Sequence, residues 1–229
     1  MKKYPCPSCG AEIPFRTSTA SHGVCPYCRT MVVRDDDALR KTGEMAQLPD
    51  DMSPFQLGTE GTFMGVRFGI VGRIRQNWED GGWNEWYIVS DDAKRGWLAE
   101  AQGFYAPCFE VENPSEQTLQ AIQKMQEWAG GDLAGEAWIK NPSGQRIKIE
   151  GATYKIVDIK RAECVASEGE LPFAAPQGRK SVSVDCVADH GKFASIDIAD
   201  GRARVFTGAY VAWQELNCRY YRNFEGWKQ

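Results

Sequence analysis

Four cysteines near the amino terminus have the type and spacing to hold one metal ion. Cys6 and Cys9 stand in C-P-S-C-G; after fifteen intervening residues, Cys25 and Cys28 stand in C-P-Y-C-R. Two residues between thiols let one tight turn direct both sulfurs at the same ion, at about 2.3 Å. A second such turn, brought back by a short hairpin, completes a tetrahedral four-thiolate shell, and the spacing is that of a zinc ribbon. Pro5, Pro7 and Pro26 stiffen the turns, and Gly10 frees the backbone just after the first pair. One Zn2+ is the preferred occupant because it brings no redox chemistry to disturb the shell. A rubredoxin-like iron site and a pair of disulfides are the rival readings. His22 lies within the intervening loop, but four thiolates already fill the shell, so it is read as a bystander.

A four-thiolate site with no open position is structural rather than catalytic. The ribbon, residues 1–34, is too short to bury a core, so metal binding must supply most of its folding free energy. Lys2, Lys3, Arg16, Arg29 and Arg34 give it a modest positive balance, and its surface is read as that of a protein-binding ribbon.

The whole chain has 229 residues and a formal net charge of -4, which suits a ribbon plus one or two further domains. A mildly acidic balance argues against a dedicated nucleic-acid binder, which usually carries a basic stripe. No apolar run approaches the roughly 20 residues needed to span a bilayer, and the N-terminus lacks a signal-peptide core. Thiols arranged for metal without a secretion signal point to a reducing cytoplasm. The remaining cysteines, Cys108, Cys164, Cys186 and Cys218, are scattered, and Cys186 in an alternating apolar stretch reads as a small buried residue.

The elements behind the ribbon read as mainly β: two small barrel-like or bent-sheet modules joined by one amphipathic helix. Residues 35–54 are polar and read as a linker, with a short helix around Ala38 to Ala46, so that the ribbon moves semi-independently. Module 1 spans 55–112. Val66 to Ile74 alternates as a strand, Trp83 to Val89 is aromatic and β-branched, and Gly96 to Glu100 makes the return strand of a hairpin. A connecting helix spans 113–131: Asn113-Pro114-Ser115-Glu116 reads as its capped start, and Leu119, Ile122, Met125 and Trp128 follow at helical spacing. Module 2 spans 136–229 and echoes the first. Val89 to Lys94 aligns without a gap on Val187 to Lys192, and Phe68 to Val71 matches Tyr154 to Val157, as in a divergent repeat.

The run G-T-x-x-G-x-x-F-x-I-V-G-R-I, then W-x-E-W-Y-I-V-S-D-D, then G-W-L-A-E, resembles an uncharacterised bacterial family of small β-rich domains of unknown function. The resemblance covers roughly Gly58 to Glu110, with a weaker echo in the second half. Members of that family often carry an N-terminal zinc ribbon, and their genes tend to lie beside spermidine-synthase-like and membrane-stress proteins. The resemblance therefore implies an accessory role near membrane-maintenance or polyamine-linked systems. It transfers no catalytic residue.

The densest constellation outside the ribbon is Trp83, Glu85, Trp86, Asp91, Asp92, Trp97 and Glu100, and the candidate ligand or partner patch drawn from it is Trp83, Glu85, Tyr87, Trp97 and Glu100. Alternation puts Trp83, Glu85 and Tyr87 on one strand face, suited to a polyamine or a Lys/Arg side chain, and puts Trp86 on the face expected in the core. The bland alternative is barrel packing with solvated acids. A glycosidase-type pair of Glu85 and Glu100 depends wholly on their separation. His22 and His190 are isolated, and Gly130 to Gly135 lacks the continuation of a phosphate loop. The C-terminal run from Ala209 to Trp227 is unusually aromatic, with Arg219 and Arg222 interleaved. Its default place is as closing strands of module 2; an exposed part would suit a partner, a membrane interface or single-stranded nucleic acid.

Taken together, the residues and the resemblance point to a cytoplasmic, non-enzymatic adaptor with a structural zinc and a protein partner, membrane-associated in the systems that the resemblance implies. The alternatives are a nucleic-acid binder using the ribbon and the C-terminal aromatics, and an enzyme with an unrecognised carboxylate site.

Overall fold

Period-two alternation of apolar residues, broken by glycine turns, produces strands over most of the chain, and one stretch of period 3.6 produces a helix. The computed structural model describes residues 2–35, 38–49, 51–101, 103–130 and 142–224. Among them are fifteen strands and one α-helix, so the fold is mainly β, as the patterning predicts.

The chain divides into two compact units that are not sequential. The first unit holds residues 1–105, 163–179 and 211–229; the second holds 106–162 and 180–210.

In the first unit, β1 (Lys2–Pro5) and β2 (Glu12–Phe15) form a small hairpin. β3 (His22–Val24), β4 (Thr30–Asp35) and β5 (Ala38–Glu44) form an antiparallel run. β6 (Glu60–Phe63), β7 (Val66–Trp78), β8 (Gly81–Ser90) and β9 (Arg95–Ala101) form a meander. β10 (Phe104–Glu110) follows and crosses the unit boundary. The long β12 (Ala152–Leu171) crosses it too, and its last third joins the two runs: Gly169, Glu170 and Leu171 pair with Val24, Gly23 and His22, while Cys164 to Gly169 pair with Gln76 to Gly72 of β7. Both faces of β8 are buried. Trp86 and Ile88 sit on one, and Tyr87 on the other, against Trp97. Residues 211–224 also return to the first unit. Val211 N–H donates to Tyr105 O at 2.9 Å, Arg219 and Glu60 exchange backbone hydrogen bonds, and Trp213 packs on Phe55, Tyr105 and Tyr221.

The second unit is built around α1 (Glu116–Gly130), which presents Ala121, Ile122 and Met125 to β11 (Arg146–Ile149), β13 (Lys180–Val187), β14 (Lys192–Ala199) and β15 (Arg202–Ala209). Ile149, Ile156, Val184, Cys186, Ala194 and Ile196 are the fully buried strand residues of this core. The Ser115 hydroxyl caps the helix, accepting the Thr118 N–H, and Glu150 accepts both the Ser115 N–H and the Thr118 hydroxyl. Leu119, read as part of the apolar stripe, is exposed; the buried stripe runs through Ala121 instead.

Three expectations change. Residues 38–44 form strand β5, not a helix: their polarity marks a strand with one solvated face. The stretch read as a linker is anchored, because Met45 and Ser53 are buried in the first unit. The C-terminal aromatics from Trp213 to Phe224 belong to the first unit rather than the second, whereas Tyr210 stays in the second; Trp227 lies outside the described residues. Residues 131–141, where module 2 was expected to begin, lie outside the described residues.

The sequence echo coincides with shared local geometry. Gly58 N–H donates to Ile70 O at 2.9 Å, and Gly144 N–H donates to Ile156 O at 2.8 Å. Met64-Gly65 and Glu150-Gly151 are both successive left-handed residues at a hairpin tip. Ser90 N–H to Lys94 O and Ala188 N–H to Lys192 O close matching turns at 3.0 and 2.9 Å.

Candidate metal centre

Each C-P-x-C turn is locked by the same pair of backbone hydrogen bonds. In the first, Cys6 N–H donates to Ala11 O at 2.8 Å and Gly10 N–H to Cys6 O at 2.9 Å. In the second, Cys25 N–H donates to Thr30 O and Arg29 N–H to Cys25 O, both at 2.9 Å. The residue after each second cysteine must be left-handed to close this turn. Gly10 adopts φ +76° freely, whereas Arg29 adopts φ +58° against its side-chain preference.

The two turns bring all four sulfurs within 4.8 Å of one another. Cys6 Sγ lies 3.6 Å from Cys28 Sγ, and Cys9 Sγ lies 3.8 Å from Cys25 Sγ. A tetrahedron with metal–sulfur bonds of about 2.3 Å has edges of about 3.8 Å, so the sulfurs fit one ion. None of the four cysteines is in a disulfide, and separations this long are far from the roughly 2.05 Å of an S–S bond. The polar surroundings suit thiolates as well. Ser8 N–H points at Cys6 Sγ at 3.4 Å, and the Thr30 hydroxyl lies 3.2 Å from Cys28 Sγ. The Thr30 hydroxyl, then its N–H, pulls the Cys28 thiol down to about 6. Burial pushes the Cys25 thiol up. Four such groups share one small volume, so a cation is what lets all of them lose their protons together. His22 stands apart; its Nδ1 lies 2.9 Å from the Ser21 hydroxyl.

The ribbon is pinned to the body of the first unit, so it does not hang on a tether. Glu170 of β12 is buried, and its carboxylate accepts Arg16 N–H at 2.8 Å, Thr17 N–H at 3.0 Å and the Thr17 hydroxyl at 3.3 Å. Val24 and Met31 pack with Met45 and Ala166. The Thr19 hydroxyl lies 3.3 Å from the Tyr87 hydroxyl.

The Trp83–Glu100 constellation is divided between the two faces of the sheet. Tyr87 pairs with Trp97 and Glu85 with Ala99, whereas Glu100 pairs with Asn84 beside Trp86 on the opposite face. Glu85 accepts the Trp83 indole N–H at 3.0 Å. Glu100 accepts the Ser53 hydroxyl at 2.5 Å and the Trp86 indole N–H at 3.0 Å. Tyr87 and Trp97 are buried, their rings 5.2 Å apart, so neither forms part of an open aromatic cage.

On the Glu100 face lies a polar cluster that the sequence reading did not assemble. Arg73, buried in the middle of β7, pairs with Asp51, donates to Asn84 Oδ1 at 2.8 Å and stacks over Trp86 at 4.8 Å. Arg222, 171 positions on from Asp51, reaches the other Asp51 oxygen at 2.5 Å. Burial opposes the Asp51 charge, but the Arg222 hydrogen bond and the Arg73 charge hold its carboxyl below the ordinary range. The available signal was an arginine inside the apolar run I-V-G-R-I: a charge there must find a partner. Glu170 had a fainter one, an acid next to the apolar end of a strand.

No described helix is long and apolar enough to cross a membrane. No curated protein and no solved structure matches the chain. Residues 56–212 match the family described as Domain of unknown function (DUF4178), so the likeness extends through the second half of the chain and leaves the ribbon outside it. With more than half its length matched, the chain belongs to the DUF4178 family of domains of unknown function.

Proposed function

We propose that this protein is a non-enzymatic, cytoplasmic adaptor whose four-cysteine ribbon holds one structural Zn2+ and whose β units are divergent copies of one module. The observation that carries the reading is the four-sulfur cluster within 4.8 Å, to which no His, Asp or Glu is added among the described residues. Such a closed shell organises a surface rather than performing chemistry. The separation of Glu85 and Glu100 onto opposite sheet faces, each hydrogen-bonded to a neighbouring side chain, weighs in the same direction. The shared geometry at Gly58 and Gly144 supports the divergent copies.

The partner in this reading is a protein, docking on the ribbon and its rim, in keeping with the membrane-associated systems that the family resemblance implies. The nucleic-acid reading has less support: Arg222 is engaged with Asp51, and Trp213 packs on Phe55. Purification of the full chain from its native host tests both. A protein partner recovered with the wild type and lost with Cys9→Ser/Cys28→Ser is the expected result. Recovery of nucleic acid whose binding falls steeply with salt would replace the adaptor with the second reading.

A further inference from the structure

The first unit contains a cavity of about 460 Å3, within the roughly 300–1,000 Å3 range of small-molecule sites. Ile13, Phe15 and Val24 of the ribbon line it together with Leu48, Leu57 and Val71. Two acids also line it, but both are already answered from within the protein. Glu170 is committed to Arg16 N–H and Thr17, and Glu168 faces Arg73 at 3.6 Å. The two lining cations are less fully answered: Arg16 acts on Glu170 through its charge without a direct ion pair, and Arg29 faces no acid among the described residues. Arg16 and Arg29 are exposed, and among the described residues no carboxylate pairs with either. The Arg29 guanidinium donates to the neutral Gln47 at 3.1 Å. Arg16 lies over Gly58, where a Cβ would stand 3.3 Å from Nη1. An apolar chamber rimmed by two exposed guanidinium groups, neither of them in a direct ion pair among the described residues, has the complementarity for an apolar body carrying an anion. The same arginines repel a polycation.

We propose that this cavity binds a small anionic amphiphile: an alkyl chain seated among the ribbon and strand side chains, with a carboxylate or phosphate head held by Arg16 and Arg29. Guanidinium groups suit either head through paired charge-assisted hydrogen bonds. The inference stands apart from the adaptor reading, because it concerns a small-molecule site inside the first unit.

Calorimetric titration of the full-length, metal-loaded protein tests it, with decanoate, decyl phosphate, decanol and decylamine each kept below its micelle concentration. One decanoate or one decyl phosphate per chain is expected, and the tighter of the two identifies the head group. Decylamine is expected to bind roughly tenfold more weakly or worse. Arg16→Gln/Arg29→Gln, two surface changes, should weaken the anionic ligand by roughly tenfold and leave decanol unchanged. Leu57→Trp, which fills the chamber, should abolish binding, with Leu48→Trp as the substitute if it does not fold. Decylamine binding as tightly as decanoate, affinity indifferent to the arginine pair, or no saturable binding of any anionic chain would overturn the proposal.

Discussion

Glu170 Oε1 accepts the backbone N–H of Arg16 at 2.8 Å, tying together two residues 154 positions apart in the chain. With the Thr17 N–H on the other oxygen, one carboxylate fixes the ribbon loop to β12. Removing it leaves two part-buried backbone donors without their partner. Glu170→Ala should therefore cost about 1–3 kcal/mol by urea unfolding. The pH dependence has a definite sign. Burial pushes the Glu170 carboxyl above its ordinary range, despite the N–H bonds that favour its charge. The folded state therefore keeps this proton to higher pH than the unfolded chain, and the group's contribution to stability declines as pH rises through the glutamate range. Glu170→Gln should remove that decline.

Asp51 should behave in the opposite way. Its carboxyl is held low by Arg222 and Arg73, so its contribution is present above the ordinary aspartate value and is lost as pH falls through the depressed one. Asp51→Asn leaves the buried Arg73 with only the longer contact to Glu168 at 3.6 Å, so the cost should approach the low end of the roughly 3–5 kcal/mol of a broken buried pair. Acid unfolding followed by circular dichroism should show a shallower acid limb for the variant than for the wild type.

Gly72 allows the ribbon-bearing strand to approach β7. A Cβ there would meet Glu170 O at 1.9 Å, a backbone atom that cannot swing aside. Gly72→Ala should destabilise the protein at the upper end of the roughly 1–3 kcal/mol typical of overpacking. Gly103, in a turn at φ +81° and with nothing within 4 Å of its would-be Cβ, should tolerate alanine with only its conformational penalty, about 1 kcal/mol. Melting temperatures of the two variants provide the comparison.

The parts legible in the sequence were those written locally. The C-x-x-C pairs fix the sulfur cluster because each turn is closed within six residues, and the capped start at Ser115 places the helix. Alternation located β7, β8 and β9. The parts that were not legible depend on partners far along the chain. Nothing near Arg16 names Glu170, and nothing near Asp51 names Arg222. Residues 38–44 read as linker because an exposed strand and an irregular segment share a polar composition. The Trp83–Glu100 constellation failed for a related reason: alternation assigns faces, but both faces of β8 are covered, so Tyr87 is as buried as Trp86.

The central claim is that the four sulfurs hold a single metal ion that keeps the ribbon folded. Elemental analysis combined with X-ray absorption on freshly purified protein addresses it most directly. The account predicts one zinc per chain, four sulfur neighbours at about 2.3 Å, and loss of both metal and ribbon structure in Cys9→Ser/Cys28→Ser. Protein that carries neither zinc nor iron, with those thiols free or oxidised and the ribbon still folded, would contradict it.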